Sequence, residues 1–128
     1  MKKIIVLCLL VSILLGCSAT SKFPYGKDIG SGSVEFVAPK QYFRNSKFVL
    51  DDNILLVEVL VITHDFDRRV DTNIYFDDKL IDTVRLSDSE YKIRLENERL
   101  ESGKHRIALV QYDGENIVLY KEIVFEVM

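Results

Sequence analysis

The 128-residue chain contains no tryptophan and only two cysteines, two prolines and two histidines. It also lacks a long apolar run, since the longest one, Ile4–Leu15, has twelve residues and contains Ser12. As a helix, this run would rise about 18 Å, whereas the hydrocarbon core of a bilayer is roughly 30 Å thick. The run is therefore too short to form a membrane-spanning helix.

The sequence motifs of several enzyme classes are missing as well. There is no G-x-S-x-G nucleophile elbow, no H-E-x-x-H, no phosphate-binding loop and no dinucleotide-binding fingerprint. His64 and His105 are far apart in the sequence, and neither lies next to a recognisable nucleophile. We therefore expect a protein that is not an enzyme, with no catalytic residues, no metal site and no cofactor.

The short apolar run has the form of an export signal. Two lysines precede it, and the sequence Leu14-Leu15-Gly16-Cys17 closes it. These four residues resemble the lipobox of bacterial lipoproteins, although a smaller or β-branched residue is more usual than Leu15. The resemblance implies that the Cys17 thiol receives a diacylglyceryl group and that cleavage after Gly16 removes residues 1–16. The alternative is that Cys17 is an ordinary buried cysteine at the end of a core helix.

Removal of this signal would make the net charge of the mature chain more negative and would leave it without two free cysteines for a disulfide. Residues 1–16 include two of the 17 basic residues and none of the 20 acidic ones, so 15 basic residues remain and the net charge becomes −5. We therefore expect no nucleic-acid partner. Cys8 lies in the removed segment and Cys17 would carry the lipid, which excludes a disulfide. The expected location is the extracytoplasmic face of the cell membrane, where acyl chains on Cys17 hold the protein.

Residues 17–33 are predicted to be the lipidated cysteine and a flexible tether, because the segment contains three glycines and four serines. Sixteen such residues have a root-mean-square span of roughly 22 Å. Phe23 and Tyr25 within this tether have two interpretations, insertion into the lipid headgroups or packing on the folded domain.

Residues 34–128 are predicted to form a single all-β domain. Period-two alternation or β-branched runs, separated by polar turns, occur at 33–38, 54–63, 70–76, 80–86, 91–97, 104–112 and 117–127. Seven strands spaced about ten residues apart indicate an antiparallel, immunoglobulin-like β-sandwich. In the last segment, Val118 and Tyr120 would share the face of Phe125 only if the strand had a bulge near Lys121.

Two stretches carry a resemblance to known domains. LESGKHRIALVQYDGENIVLYKEIVFEV (100–127) and IYFDDKLIDTVRL (74–86) resemble the strands of immunoglobulin-like and fibronectin type III-like domains on bacterial surfaces. The resemblance implies an adhesive or scaffolding role. The cysteine pair and the core tryptophan of antibody domains are absent, which excludes an antibody-type domain.

The densest polar cluster is His64-Asp65-Phe66-Asp67-Arg68-Arg69. We predict partner contacts through Phe66, Arg68 and Arg69, because aromatic and arginine side chains dominate binding hot spots. The alternatives are a plain solvated loop and a divalent-metal site formed by the histidine and the aspartates.

Three other features have structural interpretations. His105 follows Gly103-Lys104, where related domains often place a corner tyrosine that bonds to the backbone, so we expect a structural role rather than a metal ligand or general base. The pairs Asp51-Asp52 and Asp77-Asp78 lie beside turn signals and are expected to stabilise turns.

Glu58 is the one charged residue in the apolar segment 54–63. A lone buried carboxylate is costly, so we expect an open sheet face or a pairing with Lys121 or Arg94. An open face would expose Val57, Val59 and Val61, or their neighbours, as a surface for a partner. The alternative is that the loop over residues 39–53 covers this face.

Together these features predict a lipid-anchored, non-catalytic protein-binding module at the membrane surface. Its membrane contact would run through the lipid on Cys17, and its partner would be an envelope protein. An accessory or exclusion factor for an envelope machine would fit this description. The alternatives are a lipoprotein that binds a small ligand and, more remotely, a peptide pheromone derived from the signal.

Overall fold

The computed structural model describes residues 23–44, 47–48 and 55–127 of the chain. These residues form nine strands and two short 3-10 helices, Lys40–Tyr42 and Asn97–Leu100. The strands are β1 (Ser33–Val37), β2 (Phe43–Arg44), β3 (Lys47–Phe48), β4 (Leu56–His64), β5 (Thr72–Phe76), β6 (Lys79–Val84), β7 (Ser89–Glu96), β8 (Gly103–Asp113) and β9 (Asn116–Val127).

The strands form two sheets that pack face to face. One sheet has three strands in the order β1-β4-β7. The other has the order β9-β8-β5-β6, and the two-residue strands β3 and β2 extend it beside the end of β9. All pairs are antiparallel except β3 with β9. The seven long strands therefore form the predicted antiparallel β-sandwich, with three strands in one sheet and four in the other.

Alternating side chains from both sheets fill the space between them. The three-stranded sheet contributes residues such as Val59, Val61 and Leu95, and the four-stranded sheet contributes residues such as Ile107 and Leu109; all five are at most 1% exposed. This is the period-two pattern that a half-buried strand requires. Burial of each of these side chains stabilises the fold by about 1.5–3 kcal/mol.

The bulge in β9 lies at Val118. Between β8 and β9 the pair Gln111–Leu119 is followed by Tyr112–Ile117, so Val118 is the extra residue. The β8–β9 register is regular at Lys121, so the condition under which Tyr120 would share the face of Phe125 is not met. Alternation is regular from Leu119 onward, and Tyr120 faces the outer side of the four-stranded sheet rather than the core side of Phe125.

The described part of the predicted tether is packed on the domain. We call residues 23–32 the strap. Phe23 is only 6% exposed, and Ile29 exchanges two backbone hydrogen bonds with Tyr120 of β9 (3.1 and 2.9 Å). The strap thus runs along the free edge of β9 before it enters β1. The glycines and serines of the segment predicted a flexible tether. Its apolar residues Phe23 and Ile29 instead pack on the outer face of the four-stranded sheet.

The predicted signal helix, Gly16, Cys17 and residues 18–22 of the tether lie outside the described residues. So does the Asp51-Asp52 pair. Among the residues that the structure describes, no helix has the length and apolar character needed to cross a bilayer.

Candidate contact surfaces

The loop after β4 contains the three predicted contact residues, and its aromatic residue points inward. Phe66 is 5% exposed and belongs to the core between the sheets. Its backbone N–H lies 3.5 Å from the carbonyl oxygen of Ser87, and the neighbouring Asp65 N–H donates to Oδ1 of Asp88 (2.9 Å). The interpretation of Phe66 as a surface contact is therefore wrong, because the side chain fills the end of the core.

The two arginines of this loop remain candidates for contact. Arg68 is exposed, and the Arg69 side chain is 89% exposed. The Arg69 guanidinium forms a bidentate ion pair with Asp67, in which Nε donates to Oδ1 (3.0 Å) and Nη2 donates to Oδ2 (3.2 Å). These hydrogen bonds keep the pKa of the Asp67 carboxyl below its usual value. The pair holds the loop in one shape, and Arg69 projects from it into solvent.

The alternative of a metal site in this loop receives no support from the geometry. His64 Nε2 lies 3.5 Å from Oε1 of Glu35, while Asp67 is engaged by Arg69. Across the described ranges, no three His, Cys, Asp or Glu side chains come together as a metal-binding group would require.

His105 is a buried hydrogen-bonding hub. Its Nδ1 lies 2.6 Å from Oδ2 of Asp77, and its Nε2 lies 2.7 Å from the carbonyl oxygen of Glu101. The ring packs between Phe76 and Phe125, with both centroids at 5.5 Å. Both ring nitrogens thus face oxygens of the fold, which agrees with the predicted structural role.

The β5–β6 turn explains the acidic pair. Asp77 and Asp78 have φ values of 47° and 67°, the left-handed region that a two-residue hairpin turn needs and that aspartate tolerates. Asp77 also accepts a hydrogen bond from the backbone N–H of Arg106 (2.9 Å). The prediction that this pair stabilises a turn is confirmed. An open cleft of about 270 Å³ borders the turn, and its polar residues are largely bonded to one another.

The outer face of the three-stranded sheet exposes an apolar surface with charged residues beside it. Along β4 the valines 57, 59 and 61 point inward. Of the two sets of residues that the sequence offered for an open face, it is therefore their neighbours that point outward. We call the outward group the contact strip; it consists of Leu56, Leu60 and Ile62 of β4 and Val37 of β1.

Glu58 lies between Leu56 and Leu60 of the contact strip, on the same face of β4. Its side chain is exposed, as the open-face interpretation predicted. It is directly opposite Arg94 of β7, and Lys92 is opposite Leu60. A groove of about 330 Å³ runs over this area, lined by Val37, Ala38, Pro39, Glu58, Val59, Leu60 and Lys92. Of the loop 39–53, the structure describes residues 39–44 and 47–48.

The outer face of the four-stranded sheet is different because the strap covers part of it. The Phe23 ring lies 4.7 Å from that of Tyr75 and 6.2 Å from that of Tyr120, measured between centroids. Ala108 and Val110 complete this second apolar cluster. Tyr120 is fully buried beneath the strap.

A polar network fastens the strap at its middle. Glu122 accepts hydrogen bonds from the Gly26 N–H (2.8 Å) and the Tyr120 hydroxyl (2.7 Å). The Arg106 guanidinium lies 3.1 Å from Glu122 and over the Tyr25 ring, 4.2 Å from its centroid. Tyr25 in turn donates to Oδ2 of Asp78 (2.6 Å), and this bond is the main cause of its raised pKa.

A buried lysine fastens the strap near its end. The Lys121 amine bonds a carboxylate oxygen of Asp28 and donates to the carbonyl oxygen of Gly30 (2.9 Å). Lys121 is 4% exposed, so an unpaired charge there would be costly. Lys121 is therefore not the partner of Glu58, which was one of the alternatives to an open face. The packing of Phe23 on the folded domain was one of the two interpretations that the sequence offered. The pairing of Ile29 with Tyr120 and the contact between Asp28 and Lys121 were not predicted.

The strand order defines the chain as an all-β sandwich of the fibronectin type III-like kind. No protein-family model and no curated protein matches the chain. Among solved structures, the fibronectin(III)-like modules of Clostridium thermocellum CbhA are similar to it. They share 20% sequence identity over 73% of this chain and 94% of that one, with a TM-score of 0.42.

Proposed function

We propose that this chain is an extracytoplasmic lipoprotein, held at the membrane by lipid on Cys17, whose β-sandwich binds an envelope protein without catalysing a reaction. An accessory or exclusion factor for an envelope machine would have this form. The proposal combines an anchor predicted from the signal sequence with an exposed surface on the folded domain.

The observation that carries the proposal is the contact strip. Leu56 and Val37 are 41% and 42% exposed, and Leu60 and Ile62 lie on the same face. The flanking strand β7 presents charged residues of both signs, with Lys92 and Arg94 in the middle and Glu90 and Glu96 on either side of them. An apolar centre with a charged rim is the usual anatomy of a protein–protein contact.

The proposed partner is a protein of the same envelope because the anchor would confine the domain to that surface. Confinement raises the effective concentration of the two proteins near one another, so a contact area of modest size is sufficient. Arg68 and Arg69 lie beyond the His64 end of the same strand and could extend the contact through charge.

Photocrosslinking on intact cells tests this proposal. A photoreactive amino acid would replace Leu60 in the contact strip in one variant and Leu80, on the outer face of the four-stranded sheet, in a matched control. We expect the probe at position 60 to give one discrete adduct with an envelope protein and the probe at position 80 to give none of it.

The Cys17→Ser form is the control for anchoring, and we expect it to lose the adduct. The same adduct from both positions would contradict the assignment of the surface. The absence of any adduct from position 60 in the anchored form would contradict the binding function itself.

A further inference from the structure

The strap determines where the membrane anchor leaves the folded domain. If the chain were flexible up to Ser33, sixteen residues would separate Cys17 from the first strand, with a taut reach of about 55 Å. The structure instead attaches the chain to the four-stranded sheet from Phe23 onward, through the buried ring, the Ile29–Tyr120 pairing and the Lys121–Asp28 ion pair. Only six residue steps then separate Cys17 from Phe23, with a taut reach of about 20 Å.

This short reach distinguishes the two faces of the sandwich. The sheets of a sandwich are about 10 Å apart, and outward side chains on both faces add further thickness. Phe23 lies on the outer face of the four-stranded sheet, so a membrane against the opposite face would be at or beyond the end of the taut connection. A membrane against the four-stranded side needs no such extension.

The surface around the exit point suits a lipid headgroup layer. Leu80 and Val124 are 56% and 50% exposed on this outer face, and Tyr25 is 39% exposed beside them. Lys104 of β8 is exposed on this face as well, and Lys27 of the strap is exposed at its edge. Apolar and aromatic side chains with basic residues nearby are the groups that rest at a membrane interface.

We propose that the outer face of the four-stranded sheet lies against the membrane, and that the strap enforces this orientation. The contact strip on the opposite face then points away from the bilayer, towards the envelope protein. This orientation rests on the proposed lipid anchor at Cys17. It would leave the contact strip accessible to a partner although the connection to the anchor is short.

Fluorescence quenching on vesicles tests the orientation. The protein, exported and processed by the cell and purified in detergent, would be reconstituted into phosphatidylcholine vesicles that contain a lipid with a nitroxide on its headgroup. With Cys17 blocked by lipid, a single introduced cysteine carries the fluorophore, in Leu80→Cys on the proposed membrane side and in Lys92→Cys on the opposite side. We expect the probe at position 80 to lose most of its fluorescence and the probe at position 92 to keep most of it.

The strap itself is tested by two glycine substitutions. Gly30 and Gly26 both have left-handed φ values (83° and 76°), but a Cβ at Gly30 would lie 2.5 Å from the carbonyl oxygen of Val118, whereas one at Gly26 meets nothing within 4 Å. We expect Gly30→Ala to release the strap and remove most of the difference between the two probes. Gly26→Ala should retain that difference.

The outcomes separate the two proposals. If the protein purified from the cell carries no lipid on Cys17 and fails to float with the vesicles, the lipid-anchor proposal is overturned. If it floats but both probes are quenched equally, or the probe at position 92 is quenched more, the orientation is overturned while the anchor stands.

Discussion

Both outer faces of the sandwich carry apolar residues, but a segment of the chain covers those of one face only. On the four-stranded sheet, Phe23 of the strap lies over Tyr75 and Tyr120, and a network centred on Glu122 surrounds the contact. On the three-stranded sheet, Leu56 and Val37 remain 41–42% exposed. The comparison teaches that apolar residues on an outer strand face do not identify a binding surface by themselves, because a segment of the same chain can cover them.

The largest expected effect on stability concerns the loop after β4, whose aromatic residue was predicted to contact a partner. Phe66→Ala should lower the free energy of unfolding by about 3–5 kcal/mol, because it leaves a cavity at the end of the core. Arg68→Ala, in the same loop but exposed, is the matched control and should leave stability nearly unchanged. Urea denaturation of both variants measures the difference, and equal midpoints would contradict the buried position of Phe66.

The next effect separates the covered face from the open one. Phe23→Ala should cost about 3 kcal/mol, since the ring is buried against two tyrosines. Leu60→Ala on the open face should cost about 1 kcal/mol or less. If the two substitutions change the urea midpoint equally, the strap adds nothing to the stability of the domain.

The glycine pair tests the fit of the strap with a smaller expected cost. Gly30→Ala should destabilise the protein by about 1–3 kcal/mol more than Gly26→Ala, because only Gly30 lies against the backbone of β9. Thermal unfolding of the two variants is the measurement. A larger loss for Gly26→Ala would show that the close approach to Val118 is not part of the fold.

The smallest effect is on the ionisation of tyrosine. Burial, followed by a hydrogen bond with Tyr75, raises the pKa of Tyr112 to about 12, and burial with a hydrogen bond to Asp82 does the same for Tyr91. The unfolded chain loses these protons near pH 10, before the folded one does. The stabilisation that the neutral phenols provide is therefore complete below about pH 10 and declines as the pH rises towards 12.

The strap gives this titration a site-specific control. Tyr112 packs against the cluster that contains Phe23, whereas Tyr91 faces the core from the other sheet. In Phe23→Ala, the NMR shifts of the tyrosine ring carbons, which resolve each residue, should show Tyr112 ionising closer to pH 10, while Tyr91 is unchanged. A parallel shift of both tyrosines would indicate general loosening rather than loss of a local cover.

Most of the long strands were predictable because each carries its period in its own residues. Tyr91, Ile93 and Leu95 alternate with charged residues, and the pair Asp77-Asp78 supplies the hairpin turn. The segment around Glu58 was harder, because both of its faces are apolar and the pattern does not say which one points inward. Val57, Val59 and Val61 belong to the core because the four-stranded sheet packs against their face of β4.

The features that sequence reasoning missed depend on distant partners. Phe66 lies between charged residues with no local period, and its burial comes from the space left at the end of two sheets. The apolar residues of the strap are diluted by glycine and serine, so composition predicts flexibility. Their burial requires Tyr75, Ala108 and Tyr120, which come from three strands far along the chain.

The account depends most directly on the strap being part of the folded domain, and amide hydrogen exchange measures this. The N–H groups of Ile29 and Tyr120 bond each other's carbonyl oxygens across the edge of β9. We predict that the Ile29 amide is protected to nearly the same degree as the Tyr120 amide. Exchange of Ile29 at the rate of an unstructured peptide, with β8 and β9 still protected, would contradict the strap and remove the basis for the proposed orientation at the membrane.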